Sequence, residues 1–99
     1  MHKKNPYLEQ KVMTASPEQL IAYVYEVGSA SCAQKDADRA RKALQVLSQS
    51  LNFDVAETSP VFYNVYRYIN HLVNRRRFDE AKKAFDDLRQ TWAKAYQLN

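Results

Sequence analysis

Glycine occurs once in this chain, at Gly28, and proline three times, with two of the prolines directly after a serine, at Ser16-Pro17 and Ser59-Pro60. Both residue types interrupt helices. A sequence that nearly lacks them and fills the remainder with charged residues, Ala, Leu and Gln is therefore written for helix, and extended sheet is not expected. Its 99 residues fit a single domain, because a core of this size is already near the lower limit for independent stability.

The two Ser-Pro pairs mark where helices begin. Ser16 can take up free N–H groups of a first turn, Pro17 sits where a missing N–H is harmless, and Gln19 completes a capping box, so a helix is predicted from Pro17. One face of it carries Leu20, Ile21, Val24, Val27, Gly28, Ser31 and Cys32, with Ala22, Glu26, Ser29 and Ala33 opposite. The small residues of its second half invite close approach by another backbone. Asp36 is the expected cap of a second helix, with Ala37, Ala40, Leu44, Leu47 and Leu51 inward and Arg39, Arg41, Lys42, Gln45 and Gln49 outward, so that helices one and two form a tight hairpin.

Asp54–Ser59 is read as a connector, and Ser59-Pro60 opens a third helix that reaches roughly Arg76, with Phe62, Val65, Ile69, Leu72 and Val73 inward. In a fourth helix Asp79 and Glu80 oppose the positive end of the helix dipole, and Phe78, Ala81, Phe85, Leu88, Trp92 and Ala95 form the apolar face. Asp79 and Lys83 are spaced as a surface ion pair. The expected fold is all-α, an antiparallel up-down four-helix bundle over residues 16–99, preceded by an extended or short helical segment over residues 1–15. No internal repeat or low-complexity stretch is expected to change this.

Few residues could carry chemistry. His2 and His71 are far apart, and neither stands in the Glu-x-x-His or His-x-x-x-His spacing that builds metal sites in bundles. Cys32 has no partner for an intramolecular disulfide and no nearby His to activate it, so it reads as a small hydrophobe. A single glycine leaves no phosphate-cradling loop. The chain is therefore expected to be no enzyme and to use no cofactor or metal. No stretch approaches the roughly 18 consecutive apolar residues of a membrane span, and polar Met1–Lys11 does not resemble a secretion signal. The expected setting is the cytoplasm, with no membrane partner.

The formal charge of +4 favours an acidic partner. Arg75-Arg76-Arg77, with Arg39, Arg41 and Lys42, resembles a nucleic-acid footprint. Basic residues also belong at a helix C-terminus, and no nucleic-acid-binding motif accompanies them, so nucleic acid is not the expected partner. The seven tyrosines point elsewhere. Phe62, Tyr63, Tyr66 and Tyr68 spread around more of the third helix than one core needs, which places at least one tyrosine at the surface, where a rigid apolar ring with a polar tip suits a partner that comes and goes. The alternative is that these rings only flank the core. On the second helix Ala43, Val46, Ser50 and Phe53 form a second stripe, to be covered by a foreign helix in a groove or by the chain's own Tyr7, Leu8, Val12 and Met13.

The segment from Tyr7 to Ile21 resembles the opening of the flagellin export chaperone (FliS) family, most specifically at Thr14-Ala15-Ser16-Pro17. Tyr25-Glu26-Val27-Gly28, the stretch Leu47 to Asn52 and Leu88-Arg89-x-x-Trp92 are similar to later family segments in the same order. The chain reads as a shortened and basic member. Phe78 to Phe85 also passes for one helix of a tetratricopeptide unit, with no second copy at a repeat spacing. The resemblance implies a chaperone that holds the disordered C-terminal region of flagellin, prevents its premature polymerisation and releases it for export, with the export gate as a further partner and weak self-association of the empty chain left open. The partner-binding residues it implies are Tyr7, Tyr25, Val46, Ser50, Phe53, Tyr63 and Tyr66. The alternatives are an adaptor for a different helical client and a small nucleic-acid-binding bundle.

Overall fold

Ser16 closes the expected capping box: its Oγ accepts from the Gln19 N–H at 3.2 Å while Gln19 Oε1 accepts from the Ser16 N–H at 2.8 Å. Helix α1 follows over Pro17–Ala33. In the computed structural model, which describes residues 15–51 and 59–98, three more helices come after it, α2 over Ala37–Gln49, α3 over Ser59–Asn74 and α4 over Phe78–Ala95. There is no strand among the described residues. The expected N-terminal segment lies outside them apart from Ala15, as does the expected connector apart from Ser59, which is already helical.

Each helix packs on two others, α1 on α2 and α4, and α3 on the same pair, so the four close into a ring. Directions follow from bonds between helix ends. Trp92 Nε1, late in α4, donates to the Glu18 carbonyl at the start of α1 at 2.8 Å. Arg41, early in α2, donates to Asn74 Oδ1 at the end of α3 at 3.0 Å. With short turns joining α1 to α2 and α3 to α4, this is the all-α antiparallel up-down four-helix bundle that the periodicity predicts.

The two short turns are built alike. Lys35 and Arg76 both take left-handed backbone conformations, φ 57° and 59°. The Lys35 and Asp36 N–H groups donate back to the Cys32 and Ser31 carbonyls, as those of Arg76 and Arg77 do to Val73 and Leu72. This is the backbone closure of a Schellman motif, here made without the usual glycine. Counting outward from the turns pairs residues by a constant step of 41, the separation of Tyr25 and Tyr66. Asp38, Ala40, Lys42, Ala43 and Leu47 then meet identical residues at Asp79, Ala81, Lys83, Ala84 and Leu88. The bundle is thus two related hairpins, an internal correspondence that was not expected from the sequence. The copy that Phe78 to Phe85 lacked is Ala37 to Leu44.

Four rings fill the core toward the open ends of the hairpins. Tyr25, Tyr66, Phe62 and Trp92 form a closed circuit with centroid separations of 6.0–6.4 Å, each pair adding about 0.5–1.5 kcal/mol beyond area burial. Below them Ile69, Val73, Leu47, Ala40, Ala81 and Phe85 are sealed from solvent. The inward stripes of α2 and α3 match expectation, with Tyr66 added to the latter. On α1 the buried line is Tyr25, Gly28, Ser29, Ser31 and Cys32. Ser29, expected on the outer face, is inside because α1 is packed on two sides. Ala95, expected inward on α4, is exposed. Lys83 pairs with Asp87 at 3.0 Å, one turn on, rather than back to Asp79.

Gly28 sets how closely α1 and α4 approach. A Cβ there would run into the fully buried Phe85 ring, so no side chain fits without moving that ring. The small-residue half of α1 thus does receive a neighbouring helix, and α1–α4 is the most extensive seam of the bundle.

Candidate functional site

The expected partner contacts separate into three groups. Tyr7 and Phe53 lie outside the described residues. Tyr25 and Tyr66 are core residues, exposed by 0 % and 3 %, and their hydroxyls share a hydrogen bond of 2.7 Å. Tyr25 therefore does not line an exposed groove, which corrects its assignment as a surface contact. Two phenols at equivalent places in the two hairpins satisfy each other where no water reaches. Burial pushes Tyr25 well above the ordinary phenol range and raises Tyr66 as well, so the pair stays neutral at neutral pH.

Val46, Ser50 and Tyr63 are exposed, and Val46 and Tyr63 line different clefts. Val46 edges a shallow cleft of about 440 Å³ over the α1–α2 hairpin, with Val24, Val27 and Ala43 as its apolar floor and Arg39 and Lys42 at its rim. Ser50, just past α2, turns its hydroxyl back to the Leu47 carbonyl at 2.8 Å. Tyr63 belongs to a second cleft of about 500 Å³ between α2 and α3, which also takes in the edge of Tyr66. Of the five that fall among the described residues, only Tyr63 and Tyr66 are brought together in one cleft.

The α2–α3 cleft has an apolar base of Leu44 and Tyr66 and polar walls. Arg41, Gln45 and Ser48 come from α2, and Tyr63, Arg67, Asn70, His71 and Asn74 from α3. Its charged lining is wholly basic. Arg41 is paired with Asp38 outside the cleft and bonded across it to Asn74. Arg67 makes no ion pair among the described residues. These wall residues were not foreseen as a site, although Arg67 and His71, one helical turn apart with Tyr63 one turn before, already stand in line in the sequence.

The opposite seam, α1–α4, is bridged by ions. Arg89 donates to Glu26 Oε1 at 2.6–2.7 Å. Asp86 takes the Lys82 ammonium at 2.7 Å and the Ser29 hydroxyl at 2.5 Å. Partial burial raises the Asp86 carboxyl, but the bonds from Lys82 and Ser29 outweigh it and hold the group below its ordinary value. Cys32 nearby is buried and its thiol is pushed up to about 11, chiefly by burial, which makes it a poor nucleophile at neutral pH.

Among the described residues no cluster of His, Cys, Asp and Glu is arranged to hold a metal ion, and no helix is long and apolar enough to cross a membrane. No protein-family model matches the chain, and neither a curated protein nor a solved structure is significantly similar to it.

Proposed function

We propose that the protein is a non-catalytic, cytoplasmic chaperone of the flagellin export type, which holds the C-terminal region of flagellin against the α2–α3 face until export. The observation that carries this is the cleft between α2 and α3, which presents the exposed ring of Tyr63 above a base of Leu44 and Tyr66, each 3 % exposed. Its form suits a helix laid in a groove. The segments that resemble the family also fall at working places in the fold. Ser16 and Pro17 start α1, Tyr25 and Gly28 are central to the core, and Trp92 fastens α4 to α1. A client that orders only on binding gives up entropy, which keeps the complex releasable.

Calorimetric titration of the full chain with the C-terminal segment of flagellin from the same organism tests this. Saturable one-to-one binding, persisting at least in part at high salt, is expected. Absence of heat and of any displacement at micromolar concentrations would refute it. An adaptor for a different helical client is the second proposal, favoured by the basic wall of the cleft, in which Arg67 makes no ion pair among the described residues.

A further inference from the structure

The step of 41 residues relates the α1–α4 seam to the α3–α2 seam, so Glu26 and Arg89, Ser29 and Asp86, which bond across the first, and Lys82, which pairs with Asp86 along α4, each have a counterpart in the cleft. Glu26 corresponds to Arg67, and its partner Arg89 to Ser48. Asp86 corresponds to Gln45, its partner Lys82 to Arg41, and Ser29 to Asn70. Both carboxylates of the α1–α4 seam are thus replaced, one by an amide and one by a cation. The cleft keeps one cation of that seam as Arg41, has Ser48 in place of the other, gains Arg67 where Glu26 stood, and carries no carboxylate in its lining.

Resting on the proposed client-binding role of this cleft, we infer that its occupant is an acidic amphipathic helix that supplies the missing carboxylates. Arg67 and His71 lie one turn apart on α3 and face the cleft, so a client helix running along α3 reaches both with carboxylates three or four residues apart. An apolar side chain between them meets Leu44 and the edge of Tyr66. Arg67 is exposed and free of ion pairs among the described residues, so forming the new pair breaks none. The planar guanidinium accepts a carboxylate in a two-bond fork. Charge complementarity here selects the partner, and the apolar base retains it.

The test uses the full chain and helix-forming peptides that differ at two positions one turn apart, carrying Glu, Gln or Lys on either side of a leucine. The Glu peptide is expected to bind one to one, the Gln peptide about tenfold more weakly, and the Arg67→Glu variant to reverse the order in favour of the Lys peptide, with its thermal unfolding unchanged. Equal binding of the Glu and Gln peptides overturns the inference, as does an Arg67→Glu variant that still prefers Glu. So does a duplex oligonucleotide that outcompetes the Glu peptide on the same residue. If the flagellin segment binds with no dependence on Arg67, the chaperone proposal stands and this inference falls. If the Glu peptide binds through Arg67 and the flagellin segment does not bind, the reverse holds.

Discussion

The α1–α4 and α2–α3 seams are related by the step of 41 residues, yet the first is the more extensively packed, with a cleft of about 690 Å³ along its outer edge, while the second holds a cleft of about 500 Å³ with basic walls. In the α1–α4 seam Gly28 on α1 faces Phe85 on α4, and the missing side chain lets the ring fill the space between helices. At the equivalent positions stand Ile69 and Leu44, two branched side chains of middling size. The α1–α4 seam also carries the Glu26–Arg89 pair across it and Asp86, bonded across to Ser29 and paired along α4 with Lys82, each of modest energy at this exposure, whereas the charged lining of the α2–α3 cleft is basic alone. Two helical seams related by one sequence step thus differ in packing and charge through four or five side chains, without change of fold.

The sharpest way to break this contrast is to remove its filler. Phe85→Ala should lower stability by about 3–5 kcal/mol, seen as a fall in the urea midpoint, which for a domain of this size is a large share of the total. Gly28→Ala should lower it by about 1–3 kcal/mol through overpacking, despite the better helix propensity of Ala. In a Phe85→Leu background the same Gly28→Ala change should cost much less. A Gly28→Ala protein that is more stable than the parent would show that the ring yields freely and that the packing of the seam is not set by this contact.

A smaller effect is expected where the two halves meet. Tyr66→Phe leaves the Tyr25 hydroxyl buried without a partner and should cost about 1–2 kcal/mol, while Tyr25→Phe with Tyr66→Phe should recover most of that loss. Independent, additive effects would mean that the hydroxyls do not act as a pair. Because both phenols are raised in the folded state, the unfolded chain loses these protons first. Their contribution is complete below about pH 10 and declines as pH rises above it, so alkaline unfolding should begin near pH 10 and shift upward in the double Phe protein.

The ion-bridged seam should respond at the other end of the scale. The Asp86 carboxyl is held below its unfolded value, so its contribution is present above about pH 4 and lost as pH falls through the folded pKa. Asp86→Asn should therefore flatten the acid side of the stability profile, whereas Gln45→Ala, at the equivalent place in the cleft, should leave it unchanged. The smallest effect is expected at the two turns. Lys35→Gly and Arg76→Gly relieve left-handed backbone at non-glycine residues and should each raise stability by about 0.5–1 kcal/mol in thermal unfolding.

Helices and their inward stripes were legible in the sequence because caps and periodicity are local: Ser16-Pro17, Asp36 and the Leu44/Leu47 line declare themselves within a few residues. What was not legible depends on where a helix has neighbours. Ser29 is polar and seemed outward until α4 brought Asp86 to it. Tyr25 and Tyr66 looked like surface rings because a phenol is amphipathic, and only their meeting satisfies both hydroxyls inside. The cleft was half legible. Tyr63 and Tyr66 marked it, but Val46 belongs to another cleft, and Arg67 gains meaning only beside Glu26, its counterpart on the α1–α4 seam.

The central claim is that client binding occupies the α2–α3 cleft. Amide chemical-shift mapping of the full chain during titration with the flagellin C-terminal segment tests it most directly. The account predicts shifts concentrated on Gln45, Ser48, Tyr63, Arg67 and Asn70, with Glu26, Asp86 and Arg89 on the α1–α4 seam little changed. Shifts centred on the α1–α4 seam, or on the Val24/Val46 cleft of the first hairpin, would contradict it.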